Sequence, residues 1–453
     1  MLSALSNLVR VPARIAANLG EGIVALGRLI RMGFALRSGP GTFADRAKAA
    51  LIIPSNQRLV LSVLRSFWPN LILSRTLVRA FPSKGTAVIT RHEDVIEVLS
   101  RDDDFEVVYG PRMRKLTGGD NFFLGMQPGW DYTRDTSTMR LAARRSDVET
   151  LVVPRASERS EEIVNKSMGR LDLPVDLTLQ VPWDMTDRYF GTGGEPEKMK
   201  AWTTTLFQYL FIDLGADAEL DARAMENAAA LRAYLDEAVA ERKANPTKTE
   251  DILNRCLALQ SSGTPGMSDL GIRNNLLGLL IGAIPTISKA SCLALDELFR
   301  RPDQLKGAQA AARAGNDRLM AQFIWEALRF NPHNPIIYRR AARDAVIAAS
   351  TLRQRTVRKN SMVFASNFSA MFDRYAVPSP EEFRTDRPWE SYIHWGYGMH
   401  LCFGDAINRA VIPAILKPVL KQQGLRRAEG NAGEIDTGGT PFPQHFRIAF
   451  DPT

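Results

Sequence analysis

The chain has 453 residues, 45% of them hydrophobic and 24% charged, with 58 Lys and Arg against 50 Asp and Glu and a net charge of +8. That length and balance exclude a disordered, collagenous or disulfide-scaffold protein, because a chain of this size buries most of its unfolded surface without staples. The three cysteines, Cys256, Cys292 and Cys402, are widely spaced and form no CxxC pair, which points to a reducing, cytoplasmic setting rather than to disulfides or a zinc site.

Residues 1–75 read as a basic, mostly helical extension, and residues 76–453 as one large domain, mainly α with a few short strands (α+β). In the extension, Arg10, Arg14, Arg28, Arg31 and Arg37 interrupt apolar pieces such as Ile23 to Leu26 and Leu29-Ile30. That pattern suits a helix making peripheral contact with a membrane as well as one packed on its own domain. Gly39-Pro40-Gly41 breaks it. Ala87 to Thr90 reads as a strand and His92 to Leu99 as a helix, with Val95, Ile96 and Leu99 at helical spacing. Val107 to Gly129 is rich in glycine and aromatics and reads as a long loop. Asp131 to Arg145 returns to a charged helical pattern.

Residues 270–302 form the longest helical candidate, apolar on nearly every side. Its uninterrupted apolar part, Asn274 to Ser288, lies between Arg273 and Lys289 and is shorter than the roughly 20 residues of a membrane span. Asp317 to Phe330 is a helix stopped by Asn331-Pro332. Short strands follow around Ile336 to Tyr338 and at Ser361 to Ala365, and Pro-rich loops fill Val377 to Trp389. No Lys/Arg run or nucleic-acid motif appears, so no nucleic acid is expected as a partner. The positive charge favours anionic lipid or an acidic protein.

The most informative segment is Trp395-Gly-Tyr-Gly398-Met-His400-Leu-Cys402-Phe-Gly404, which leads straight into a helical pattern reaching Lys421. A cysteine just ahead of a helix N-terminus has its thiolate favoured by the helix dipole and by exposed backbone N–H groups. Glycines at 396, 398 and 404 allow tight turns and close approach to a flat ligand. On its own a buried cysteine is usually a small hydrophobe. The ordered Gly/His/Cys/Gly context argues instead for a metal ligand.

This segment resembles the heme loop of the cytochrome P450 family, with Trp395 where the family usually carries Phe. The resemblance spans roughly residues 76–453. It implies heme b (iron protoporphyrin IX), with Cys402 as the axial iron ligand and His400 at a heme propionate. A thiolate ligand pushes electron density onto heme iron and favours O–O cleavage. Glu326-Ala-Leu-Arg329 matches the family's Glu-x-x-Arg helix, and Arg387 matches the arginine that closes its network, which gives all three a structural role. Arg339 matches a propionate-binding arginine. Trp130 and Arg134 match a second propionate clamp, for which the nearby Arg140 competes. Phe122, Phe123, Ile284, Pro285, Ile337 and Phe442 fall in regions that line the family's substrate pocket, which implies a small apolar substrate: a lipid, terpenoid or aromatic compound.

The long helix departs from the family's Ala/Gly-Gly-x-Asp/Glu-Thr pattern. Its counterpart is Gly282-Ala283-Ile284-Pro285-Thr286. The alcohol is kept as the candidate catalytic residue Thr286, the acid is replaced by Pro285, and the second glycine by Ala283. The acid–alcohol pair relays the protons that O2 cleavage consumes, and general acid–base groups contribute about 10²–10⁴-fold. Pro285 also removes a backbone N–H and is expected to kink the helix. The resemblance implies first an O2-dependent monooxygenase. It would draw electrons from a separate ferredoxin or flavodoxin-like donor, since the chain has no dinucleotide fingerprint. Pro285 opens two alternatives: a peroxygenase or lipid-hydroperoxide isomerase that needs no reductase, and a non-catalytic heme sensor.

Overall fold

The structure, a computed structural model, describes residues 2–451, with side chains from Arg14 onward. The side chain of Arg10 lies outside that range. Helices make up 59% of the chain and the strands are few and short, as expected for a mainly α protein. Two compact units are distinguished by their internal contacts. The first comprises Met1–Val78, Pro82–Glu106 and Leu328–Leu401, and the second comprises Arg79–Phe81, Val107–Ala327 and Cys402–Thr453.

The first unit begins with three helices, Leu2–Ala35, Phe43–Ile52 and Pro54–Phe67. A single side chain shapes the break around Gly39-Pro40-Gly41. Arg46 donates to the carbonyls of Leu36 and Gly39 at 2.8 Å and of Pro40 at 3.2 Å. The next helix starts on a capping box made by Thr42 and Asp45. The unit's sheet has five strands in the order Asn70–Leu73, Gly85–Ile89, Ser361–Ala365, Ile337–Ala341, Phe105–Glu106. Only Gly85–Ile89 and Ser361–Ala365 pair in parallel. The latter is buried at every residue, as a strand covered on both faces must be. Val95, Leu99, Phe105, Phe368 and Phe372 pack around this sheet.

The second unit is organised around the helix Asp269–Phe299, here the central helix. Ser268 caps it by accepting from the Gly271 N–H at 3.1 Å. It continues as a helix through Pro285. Its length corrects the sequence expectation that no segment could span a membrane. Among the described residues this one helix is long and apolar enough, although 61% of its most apolar window is buried in protein. The sequence stopped the apolar stretch at Lys289, whereas the helix carries that lysine inside and runs on.

The expected loop from Val107 to Gly129 is also corrected. It contains the helix Gly110–Thr117 and a 3₁₀ turn at Phe123–Gly125. Pro111 sits in the helix's first turn, where its missing N–H costs nothing, and Gly118 ends it with φ 82°. The same punctuation that read as loop therefore bounds a short helix. The unit closes with the helix Asp405–Lys421 and a three-stranded sheet ordered Arg170–Asp172, Arg447–Ala449, Arg426–Arg427.

Candidate heme-thiolate site

The cysteine segment is bent by two glycines in the left-handed region, Gly396 at φ 87° and Gly398 at φ 72°. At Gly398 the close approach is real, because a Cβ there would run into the Leu99 carbonyl. A 3₁₀ turn at Gly398–His400 follows, and Asp405 then starts the helix with its N–H on the Cys402 carbonyl at 3.2 Å. Trp395, the family's usual Phe, stacks on Trp389 with ring centres 5.5 Å apart.

Of the three cysteines, Cys256 and Cys292 are buried and Cys402 is not fully covered. Burial pushes the Cys256 and Cys292 thiols up to about 12, which makes them inert core residues. Cys402 is pushed up to about 11 by burial, opposed by the Gly404 backbone N–H and the Arg140 charge and assisted by Asp405. The Asn408 side-chain N–H also points at its sulfur, at 3.9 Å. Sequence reasoning missed Asn408, although it falls six residues after Cys402 on the following helix.

Arg140 reaches the cysteine segment directly. It donates to the Phe403 carbonyl at 2.8 Å and lies 3.8 Å from the centre of that ring. Trp130 is 71% exposed, and Arg134 is engaged by Asp135 at 2.7 Å and Asp131 at 2.9 Å. Of the competing basic residues on the helix Trp130–Ala142, Arg140 is thus the one placed beside Cys402 in the second unit.

In the first unit, Arg339 is buried on the strand Ile337–Ala341 and donates to the Tyr338 carbonyl at 3.0 Å. Burial, with the Arg339 charge added to it, pushes His400 down to about 3, so the imidazole is neutral. Asp102, which belongs to no motif, also lies in the field of Arg339. Glu326 and Arg329 are completely buried one turn apart on the helix Asp317–Phe330, and Arg387 is buried as well.

The predicted pocket residues take different places. Phe122 and Phe123 are buried side by side with ring centres 4.0 Å apart, and Phe123 lies 5.1 Å from Phe403. Phe122 covers Gly278 of the central helix so closely that a Cβ there would meet its ring. Ile284 is fully buried. Pro285 and Phe442 line a cavity of about 530 Å³ within the second unit. Ile337 belongs to the first unit, where it packs against the sheet core. Thr286 donates its hydroxyl to the Gly282 carbonyl, and the Ala283 carbonyl lies at 3.4 Å.

These residues fit a heme. Among the described residues no group of three or more His, Cys, Asp or Glu could hold a metal ion. A heme-thiolate site asks the chain for one sulfur donor, and Cys402 is soft, reachable and a thiol that a bound cation would deprotonate. Gly282, the one exposed residue between Gly271 and Phe299 of that helix, has open space where a Cβ would stand, as a flat group approaching that face requires.

Comparison with known proteins agrees. The sequence profile of the cytochrome P450 family matches residues 77–423. A linoleate diol synthase of Gaeumannomyces graminis is 46% identical over 67 residues, 15% of this chain and 6% of that protein. A putative cytochrome P450 137 of Mycobacterium tuberculosis is 24% identical over 228 residues, 47% of this chain and 48% of that one. The chain therefore spans less than half the length of either relative. The crystal structure of P450BioI with a hexadec-9Z-enoic acid-ligated acyl carrier protein is similar in fold at a TM-score of 0.72. It has 18% identity and covers 88% of this chain and 99% of that one. From its cysteine segment, its mainly helical fold and the profile that covers most of its length, the chain belongs to the cytochrome P450 family, whose members are heme-thiolate oxidoreductases.

Proposed function

We propose that this protein is a heme-thiolate enzyme that isomerises a lipid hydroperoxide without an electron donor. The observation that carries the reading is Pro285, which stands where an acid is needed next to Thr286. The Thr286 hydroxyl is itself donated back to the Gly282 carbonyl, as expected for a threonine settled in its own helix. An oxidant that already contains an O–O bond spares the enzyme the electrons and most of the protons that O2 requires. The resemblance to a linoleate diol synthase supports a lipid substrate.

Bound heme would supply the iron that cleaves the O–O bond, held by Cys402 of the second unit. Arg140 and Asn408 steady the sulfur, while the buried walls around Ile284 and Phe122 exclude water. One oxygen of the hydroperoxide stays on its carbon as a hydroxyl, and the other enters a C–H bond of the same chain. Atoms and electrons balance, and the product is a diol isomeric with the substrate.

The retained Thr286 favours a second reading: an O2-driven monooxygenase fed by a ferredoxin or flavodoxin-like donor. Stopped-flow mixing with linoleic acid hydroperoxide, without reductant, decides between them. Rapid conversion to an isomeric diol supports the isomerase. Inertness there, with turnover once a donor is added, supports the monooxygenase. Inertness in both, with gas binding that alters the spectrum, supports a sensor.

A further inference from the structure

Lys289 lies one helical turn beyond Thr286 on the central helix. No acid among the described residues pairs with its ammonium, and burial alone pushes its pKa down to about 8. Yet the side chain is not fully covered. Its Nζ lies 5.4 Å from the centre of the Phe442 ring. Phe442 lines the 530 Å³ cavity together with Pro285 and Ser288, the neighbours of Lys289 on the helix. The volume is that of a ligand site.

The charged lining of that cavity is mostly basic. Lys200 and Arg223 stand against one acid, Glu197, and His445 is held by Asp172 at 2.7 Å. Glu197 reaches Lys200 at 2.7 Å but is 78% exposed, so their mutual neutralisation is weak. A buried cation without a counter-charge is costly, and an incoming anion relieves that cost.

We propose that Lys289 is the counter-ion for the carboxylate of a long-chain acid, so that the cavity selects the free acid over its ester. The proposal rests on the lipid reading above but not on the oxidant. The test is equilibrium binding of an unoxidised C18 fatty acid and of its methyl ester to the heme-loaded protein, read as the ligand-induced spectral shift. The acid should bind about ten- to a hundredfold more tightly than the ester. Lys289→Met should abolish that preference and leave ester binding unchanged, while Lys289→Arg should keep it. Equal binding of acid and ester by the unaltered protein, or a preference that survives Lys289→Met, overturns the proposal. No peroxide is present, so a positive result stands even if the isomerase reading fails.

A separate observation concerns the helix Leu2–Ala35. Asn18 and Ala25 are buried, and a Cβ at Gly22 would meet Ser66 and Phe67 of the helix Pro54–Phe67, so this face is packed. Glu21 anchors it to Arg65 and, at 2.6 Å, to Arg374. A second face carries Ile15, Leu19, Ile23, Leu26, Ile30 and Phe34, each between 40% and 63% exposed. Their spacing of three or four residues makes one stripe about 30 Å long. Arg14, Arg28 and Arg31 lie on the same helix, whose one acid from Arg14 onward is the paired Glu21.

We infer that this stripe lies in the interface of an anionic lipid bilayer, with the arginines at the headgroups. Flotation of the full chain with phosphatidylcholine–phosphatidylserine vesicles should recover it with the lipid, and pure phosphatidylcholine should recover several-fold less. The double variant Ile23→Asp/Ile30→Asp should stay soluble and unbound while keeping its bound heme. A chain that remains in the aqueous fraction overturns the inference. So does a soluble dimer that the double variant dissociates, because the stripe would then face a second copy.

Discussion

Arg329 and Arg387 donate to the same main-chain carbonyl, that of Glu382, at 3.1 and 2.9 Å. Arg329 also reaches the Met371 carbonyl at 3.2 Å, and Arg387 those of Pro378 and Ser379 at 2.6 and 2.7 Å. The pair thus fastens the irregular chain from Met371 to Glu382. Arg387→Ala should lower stability by about 3–5 kcal/mol, as breaking a buried charged network does. Arg387→Lys should recover only part, because an ammonium cannot fork between carbonyls. Urea unfolding of the heme-bound protein checks both; a change under about 0.5 kcal/mol for the alanine variant contradicts the assignment.

Arg140 acts on the cysteine segment through its bond to the Phe403 carbonyl and through its charge. Arg140→Ala should cost about 1 kcal/mol of stability. It should also enlarge the share of reduced, carbon monoxide-bound protein that has lost thiolate ligation. Arg134→Ala, whose guanidinium is held by Asp131 and Asp135, should leave that share nearly unchanged. Equal effects from the two variants would count against placing Arg140 ahead of Arg134.

The proline in the central helix gives opposite expectations for the two oxidants. Pro285→Asp should raise O2-driven turnover if the missing acid limits it, and leave hydroperoxide conversion the same or slower. Thr286→Ala should lower product formed per electron in the O2-driven reaction by about tenfold or more, with little effect on hydroperoxide conversion. Product analysis with each oxidant measures both. An unchanged yield per electron removes any relay role for Thr286.

Lys289 also has a consequence for stability. Its pKa falls from an ordinary 10.5 to about 8 in the folded chain, through burial alone. Between those values the unfolded chain holds the proton and the folded chain does not, so stability rises with pH across that window. Below about pH 8 the full penalty applies, up to about 3 kcal/mol. Lys289→Met should therefore stabilise the ligand-free protein near pH 7, and the gain should shrink as pH climbs towards 10.5. Urea midpoints at pH 7 and pH 10 test this; a destabilised variant at pH 7 is the contrary result.

Much of this was legible in the sequence because it depends on local order. The glycine spacing before Cys402, the strand Ser361–Ala365 and the helix Asp317–Phe330 follow from residue pattern alone, and the last matches its expected bounds. The misreadings share one cause, tertiary context. Gly110-Pro111 and Gly118 look like loop punctuation until Arg112 is seen ion-paired with Asp213 at 2.7 Å, which ties down the short helix between them. Lys289 looked like the polar end of an apolar run because nothing local says that a lysine will be buried. Arg140 and Arg134 were not separable by spacing; the acids beside Arg134 and the ring beneath Arg140 distinguish them.

The contact between Gly278 and Phe122 makes position 278 a size gauge. One added methyl group there must displace the Phe122 ring, which lies tilted against Phe123, which in turn lies against Phe403 next to Cys402. Three aromatic rings therefore form a lever from the middle of the central helix to the residue beside Cys402. A larger residue at 278 is therefore felt as far as Phe403, the residue that follows Cys402, and not in the central helix alone.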